Sequence, residues 1–249
     1  MKTEIDYFSF VVPCYNESAN IRNFITSAVS ELKKLNLSFE IIVVDDGSTD
    51  NSDLVYKTII DNHPEVVLIK LDKNLGQHEA VLNGFKHSKG DYIITLDADL
   101  IITEDIIKEI IEKLKTGIEI VGTKRINRKI LLSRKILSKI ANFVINLIIG
   151  KKYFSDYGSM LRGYSRNVIN QILANENKAT FIPIAALLHS KSTTEIEIPN
   201  IEKRTDNSRY TFNKLIALQK RVFVQLGMLK FQNFKTYNIE TTAKRGLSQ

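Results

Sequence analysis

A mostly parallel α/β sheet flanked by helices is the fold this sequence predicts, and three observations predict it. Residues 1–122 alternate between short β-branched runs and stretches of helical periodicity, the pattern of βαβ units. The strand-like runs suit a buried parallel sheet. No internal repeat, low-complexity linker or Pro/Gly-rich break divides the 249 residues, so one domain with a C-terminal elaboration is expected.

In chain order, strands are predicted at "YFSFVV", "FEIIVV", "VVLIK", "DYIITL" and "IEIVG". Between them the spacing predicts helices over Ser18–Leu35, Asp50–Asn62, Gln77–His87 and Thr103–Lys115. The second half is less regular. An amphipathic helix is predicted over Leu132–Ile149, with Leu132, Ile136, Ile140, Phe143 and Leu147 on one stripe. The segment "YGSMLRGYS", a short helix to Leu173, a strand at "TTEIEI" and a last helix over Tyr210–Leu229 follow. This organisation divides the chain into a main α/β domain, 1–209, and an amphipathic helix and tail, 210–249. The last helix could dock on the core, lie on a membrane or form a homo-oligomer, and its pattern leaves the choice open.

Composition narrows the class. At 43% hydrophobic and 25% charged residues the chain is ordinary globular material. Its one cysteine, Cys14, excludes an internal disulfide framework, fits a reducing compartment, and reads as buried and inert. The N-terminus lacks the basic start of a signal peptide, and the longest apolar runs, such as "IANFVINLIIG", are shorter than the roughly 20 residues that span a bilayer. A cytoplasmic location, with a peripheral position on the inner face of the membrane as an option, is the expectation.

The net charge of +7 is local. Residues 120–155 hold no Asp or Glu but nine bases: Lys124, Arg125, Arg128, Lys129, Arg134, Lys135, Lys139, Lys151 and Lys152. Without them the rest of the chain is net acidic. A solvated helix face is the ordinary reading of a charge run, but complete exclusion of acids favours an anionic partner. Nucleic acid is disfavoured, because the early bases lack interleaved aromatics and an acidic rim would repel phosphate.

That rim follows from the fold. In open parallel sheets ligands bind outside the carboxyl ends of the strands. Four successive strand ends carry "PCYNES", "DDGSTD", "DKNLGQ" and "DADL", which would bring Asn16, Glu17, Asp45, Asp46, Asn74, Asp97 and Asp99 together. Asn16, Ser18, Ser48 and Asp50 suit helix N-caps equally well. In a strand Asp97 and Asp99 would share one face, where paired negative charge favours a cation. Glycine-rich dinucleotide and P-loop motifs, zinc-spaced Cys/His clusters and a G-x-S-x-G elbow are all missing. The histidines are scattered; His78 reads as a structural or helix-start residue.

"VVPCYNES", "VVDDGSTD" and "LDADL" resemble the nucleotide-contacting elements and the D-x-D motif of family-2 glycosyltransferases. "NLGQHEAVLNGFKHSKGDYIITLDADL", "DYGSMLRGY", "FIPI" and "EIPNIEKRTDNSRYTF" narrow the likeness to polyprenyl-phosphate sugar transferases, the group of dolichyl-phosphate mannose synthases and undecaprenyl-phosphate formamido-arabinose transferases. The likeness runs from about Phe8 to Leu218 and implies a nucleotide-sugar-binding, Rossmann-like fold of the glycosyltransferase A type.

It also implies roles. Pro13, Tyr15, Asn16, Glu17, Asp45, Asp46, Asn74, Gly76, Gln77, Asp97 and Ala98 would line the nucleotide, with Asp45 or Asp46 on the base or ribose. Asp97 and Asp99 would hold Mg2+ or Mn2+ beside the diphosphate. Arg204, with Arg209 as a second cation, would contact that diphosphate. Arg125, Arg128, Arg134 and Ser138 would take the phosphate of a polyprenyl-phosphate acceptor, and the remaining bases an anionic membrane surface. Asp99, Asp156 and Arg204 are the catalytic candidates, Asp156 as a general base or a structural hydrogen-bonding residue. Transfer from a UDP- or GDP-sugar with inversion is what the resemblance implies. A glycan-hydroxyl acceptor, or a non-catalytic nucleotide- or lipid-binding protein, is the alternative.

Two features depart from the group. Ile101, Ile102 and Thr103 stand where Gln and a proline-containing turn are usual, and Ile101 cannot ligate a metal. Relatives continue into transmembrane helices, whereas residues 211–249 contain no spanning segment.

Overall fold

The computed structural model describes residues 6–50, 52–126, 142–143, 145–146, 153–175 and 181–199. They form β1 (Tyr7–Cys14), α1 (Ile21–Lys34), β2 (Ser38–Asp45), α2 (Ser52–Asn62), β3 (Val66–Lys70), α3 (Gln77–His87), β4 (Tyr92–Thr95), α4 (Glu104–Lys115), β5 (Ile120–Arg125), β6 (Arg162–Ser165), α5 (Arg166–Ala174), α6 (Ile182–His189) and β7 (Thr193–Ile198). The seven strands make one sheet in the order β3-β2-β1-β4-β6-β5-β7. Five of its strands in that order, β3, β2, β1, β4 and, beyond β6, β5, share one direction with β7; β6 alone is antiparallel, to both β4 and β5.

Burial explains why these runs become strands. β1 and β2 are buried from Phe8 to Cys14 and from Glu40 to Asp45, so both faces are covered. On one face lie α1, through Ile21, Phe24, Ile25, Ala28, Val29 and Leu32, and α4, through Ile106, Ile107, Ile110, Ile111 and Leu114. Both stripes follow the i, i+3/i+4 spacing of an amphipathic helix. The opposite face carries α3, which comes so close that a Cβ on Gly84 would stand 2.3 Å from Val11 Cγ1.

Two elements differ from the sequence reading. "LRGYS" is a central strand, β6, although it shows neither alternation nor a β-branched run. It is a strand because β4 and β5 supply ladders on both sides, and because Gly163 leaves room for Ile110 and Leu114 of α4. "IPIAALLH" is a helix, α6, opened by Pro183 in its first turn and buried from Ile182 to Leu187. Its uniformly apolar sequence carries no periodicity to announce it.

Boundaries also moved. β5 begins at Ile120, not Ile118, and runs on to Arg125, which sets that arginine at the carboxyl rim. Of the helix expected over 132–149, Asn142, Phe143, Ile145 and Asn146 are described and helical. Ile145 is buried while Phe143 is 66% exposed, so Phe143 does not belong to the buried stripe. The helix expected over 210–229 lies outside the described residues. No helix among the described residues is long and apolar enough to cross a membrane. Cys14 is buried, and His78 packs edge-on against Phe181 at 5.0 Å, a structural contact.

Candidate active site

The parallel strands deliver their carboxyl ends to one rim, and hydrogen bonds from backbone N–H groups to side-chain oxygens knit the loops there. The Asn16 N–H donates to Ser48 Oγ at 2.8 Å, and the Thr49 N–H donates to Asn16 Oδ1 at 2.8 Å. The Ser18 N–H donates to Asp50 Oδ2 at 3.0 Å. Asn16 sits at φ 53°, a left-handed conformation that asparagine tolerates better than most residues. Asn16 and Ser18 therefore join the first two loops instead of capping α1, whose N-cap position is Asn20. Pro13 is buried, Glu17 half-buried, and Tyr15 exposed.

The neighbouring acids of "DDGSTD" have different occupations. Asp46 is buried, and both its oxygens are taken: the Leu75 N–H donates to Oδ1 at 2.7 Å and the Gly76 N–H to Oδ2 at 2.9 Å. Burial pushes its carboxyl up, the two N–H donors oppose that, and the charge of Asp45 adds to it. Asp46 is the peg that shapes the loop of Asn74 and Gly76. Asp45 is also fully buried, but only Oδ1 is occupied, by the Ser48 N–H at 3.0 Å; Oδ2 has no hydrogen-bond partner. A buried carboxylate oxygen without a donor is costly, and such an atom at a ligand rim suits a ligand N–H or O–H.

The D-x-D pair is not on a strand. β4 stops at Thr95, and the Leu100 N–H donates to the Asp97 carbonyl at 3.1 Å, closing a turn over Asp97–Leu100. The side-chain alternation nevertheless continues: Leu96, Ala98, Leu100 and Ile102 are buried, whereas Asp97 and Asp99 are half-buried. Shared exposure thus comes from the anchored apolar residues of the turn. Ala98 belongs to that anchor, and Ile101 is 37% exposed. The Gln77 Nε2 donates to Asp97 Oδ1 at 2.9 Å, so Gln77, read as a nucleotide contact, holds the first aspartate.

The carboxylates suit a hard cation. Mg2+ and Mn2+ bind oxygen, and Mg2+ sites commonly combine one or two carboxylates with substrate phosphates. Among the described residues no cluster of three or more His, Cys, Asp or Glu forms a protein-only cage. The set fits a metal whose remaining ligands come from a diphosphate.

Across β6 the rim turns basic. Arg125 donates from Nε at 3.1 Å and Nη2 at 3.0 Å to Asp156 Oδ2. Both side chains are nearly covered, at 11% and 13% exposure. Nearby Arg162 is buried with its guanidinium 4.7 Å from the Phe154 ring centroid, a cation–π contact the sequence reading missed. "LRGY" offers no signal for it, because only the β4–β6–β5 ladder buries that arginine. Arg128, Arg134, Ser138, Arg204 and Arg209 lie outside the described residues.

Comparison with known proteins agrees with this geometry. Residues 9–173 match the model of Glycosyl transferase family 2. Undecaprenyl-phosphate 4-deoxy-4-formamido-L-arabinose transferase of Proteus mirabilis is 39% identical over 218 residues, 86% of this chain and 66% of that protein. Its counterpart in Pectobacterium atrosepticum is 38% identical over 88% of this chain and 67% of its own length. The chain thus spans about two thirds of the length of these relatives. Among solved structures, glucosyl-3-phosphoglycerate synthase of Mycobacterium tuberculosis, in complex with Mn2+, UDP and glucosyl-3-phosphoglycerate, superposes with a TM-score of 0.65 at 18% identity, over 89% of this chain and 78% of that one. That likeness is one of fold, the glycosyltransferase A type. The rim of acids, the sheet that builds it and the length of the sequence match agree: the chain belongs to Glycosyl transferase family 2.

Proposed function

We propose that the protein is an inverting glycosyltransferase that moves a sugar from a UDP- or GDP-sugar to undecaprenyl phosphate at a membrane surface. The observation that carries the reading is the half-buried Asp97/Asp99 turn at the same rim as Asp45, whose buried Oδ2 lacks a donor. Similarity to transferases named for undecaprenyl phosphate supports the acceptor, and the acid-free basic segment supports an anionic one.

In this reading an oxygen of the acceptor phosphate attacks the anomeric carbon as the bond from that carbon to the diphosphate breaks. The bonding electrons leave with the nucleoside diphosphate, and the product is a glycosyl phosphodiester of the polyprenol. Asp97 and Asp99 would hold a divalent cation, which when bound would neutralise charge gathering on the departing diphosphate. Asp45 accepts a hydrogen bond from the base or ribose, while Asp46 shapes the Asn74–Gly76 loop beneath the nucleotide. Gln77 aligns Asp97. Arg204 and Arg209 contact the diphosphate, and Arg125, Arg128, Arg134 and Ser138 the acceptor phosphate. Residues 1–209 act as the catalytic domain, and residues 210–249 as an amphipathic helix and tail.

The test is a screen of nucleotide sugars against short-chain polyprenyl phosphate, with Mn2+, Mg2+ or chelator. Metal-dependent formation of polyprenyl-linked sugar is expected. Asp99→Ala should lower turnover by at least about a thousandfold while far-UV circular dichroism stays unchanged, a loss of roughly 4 kcal/mol of transition-state stabilisation. Turnover retained in Asp99→Ala would refute the reading.

A further inference from the structure

Asp156, the residue best suited by sequence to take a proton, is engaged on every side. Its Oδ2 accepts both the Nε–H and an Nη2–H of Arg125, at 3.1 and 3.0 Å. Its Oδ1 accepts the Gly158 N–H at 3.1 Å, closing an Asx-type turn. Its own N–H, and that of Ser155, donate to Glu195 Oε1 at 3.1 and 2.7 Å. Glu195 is fixed in turn by its place on β7, opposite Gly122 of β5 in a parallel ladder. The chain of contacts therefore runs from strand β7 through Glu195 and Asp156 to Arg125, the last residue of β5.

The same loop also holds the acid-free basic segment. Asn142 Nδ2 donates to the Ser155 carbonyl at 2.6 Å, and the Tyr157 hydroxyl donates to Asn146 Oδ1 at 2.7 Å. Underneath, Phe154 fills the space above Gly122, where a Cβ would come within 2.7 Å of the ring. The loop of residues 153–158 is thus a joint between the catalytic sheet and the basic segment.

We propose that Asp156 is a positioning residue for Arg125 and not a proton acceptor: the Glu195–Asp156–Arg125 chain aims the guanidinium edge left unshared at the acceptor's phosphate. This rests on the phosphate-acceptor reading given above. Asp156 Oδ2 is committed to two charge-assisted hydrogen bonds from Arg125, which assigns it to holding the guanidinium. A phosphate monoester has a second pKa of about 6 and is largely ionised at neutral pH, so its oxygen attacks without surrendering a proton. What such a nucleophile needs is alignment. Arg125 has the Nε/Nη2 edge of its guanidinium clamped, and among the described residues its Nη1 has no partner, so a second planar donor edge is left for phosphate oxygens.

A double-mutant cycle tests this, using Asp156→Asn, Arg125→Gln and the pair, assayed with a nucleotide sugar and undecaprenyl phosphate. Asp156→Asn should raise the KM for undecaprenyl phosphate about tenfold, a coupling typical of charged neighbours in contact, and leave the donor KM unchanged. In the Arg125→Gln background the same change should have no further effect. The acidic limb of kcat/KM, near pH 6 and belonging to the acceptor phosphate, should persist in Asp156→Asn. Asp156→Ser, whose hydroxyl can keep the turn to Gly158, should reproduce the pattern and covers misfolding of the asparagine variant. The proposal is overturned if Asp156→Asn lowers kcat a hundredfold or more at saturating acceptor, abolishes the acidic limb, and multiplies with Arg125→Gln, the signature of a general base. A wild-type enzyme with no turnover on undecaprenyl phosphate overturns the functional reading itself, a result distinct from an active enzyme with independent single effects.

Discussion

At Gly47 the backbone takes φ +65°, and a Cβ there would stand 2.4 Å from the carbonyl carbon of Lys73. Neither side of that contact can yield, because both are main chain. Gly47→Ala should destabilise the protein by about 3 kcal/mol, read as a lower urea midpoint with an unchanged slope. The neighbouring acids show why adjacency in sequence says little about use. Asp45 ends β2 with one oxygen open, whereas Asp46, one residue on, turns into the loop and meets two N–H groups. Sequence reasoning could place both at the rim but could not divide their labour, since the deciding donors, Leu75 and Gly76, lie 29 and 30 residues away.

At the scale of elements, the four early strands and the helices between them were legible because their burial is a property of each run alone. β6 was not. Its four residues include Arg162 and Gly163, and only neighbours on both sides make them a strand. Helix packing offers a test of electrostatics between elements. Glu31 of α1 accepts the Glu104 N–H, the first of α4, through Oε2 at 3.0 Å, and pairs with the Lys34 ammonium through Oε1. The Lys34 hydrogen bond first, then the Glu104 N–H, holds the Glu31 carboxyl below the ordinary glutamate value of 4.5. A carboxyl depressed in the folded state binds protons more weakly there than in the unfolded chain. Its contribution is therefore full above 4.5 and is lost as pH falls through the depressed value. Glu31→Gln should lower stability at pH 7 by about 1 kcal/mol, and the gap from wild type should close in strongly acid solution. Chemical denaturation at several pH values checks both the size and the sign.

For the molecule as a whole, the sheet collects the candidate site from segments far apart in sequence, so ligand binding should report on global stability. A nucleoside diphosphate with Mn2+ that binds only the native state should add about 2.7 kcal/mol at a hundredfold excess over Kd. Calorimetry should show a raised melting temperature that needs both components and is lost in Asp99→Ala. A shift that survives in the variant would mean that the cation is held elsewhere.

The order of strands and helices through residue 122, the acids at four strand ends and the basic, acid-free run were set by local composition, which a single sequence displays. Tertiary structure decided the rest. It turned the D-x-D out of β4 into a turn, closed both oxygens of Asp46, left one of Asp45 open, and clamped Arg125 against Asp156. The closing of Asp46 depends on donors 29 and 30 residues distant, and the clamping of Arg125 on a carboxylate 31 residues away. A periodic pattern records which face of a segment is buried, but a hydrogen bond between loops exists only once the sheet has brought their ends together.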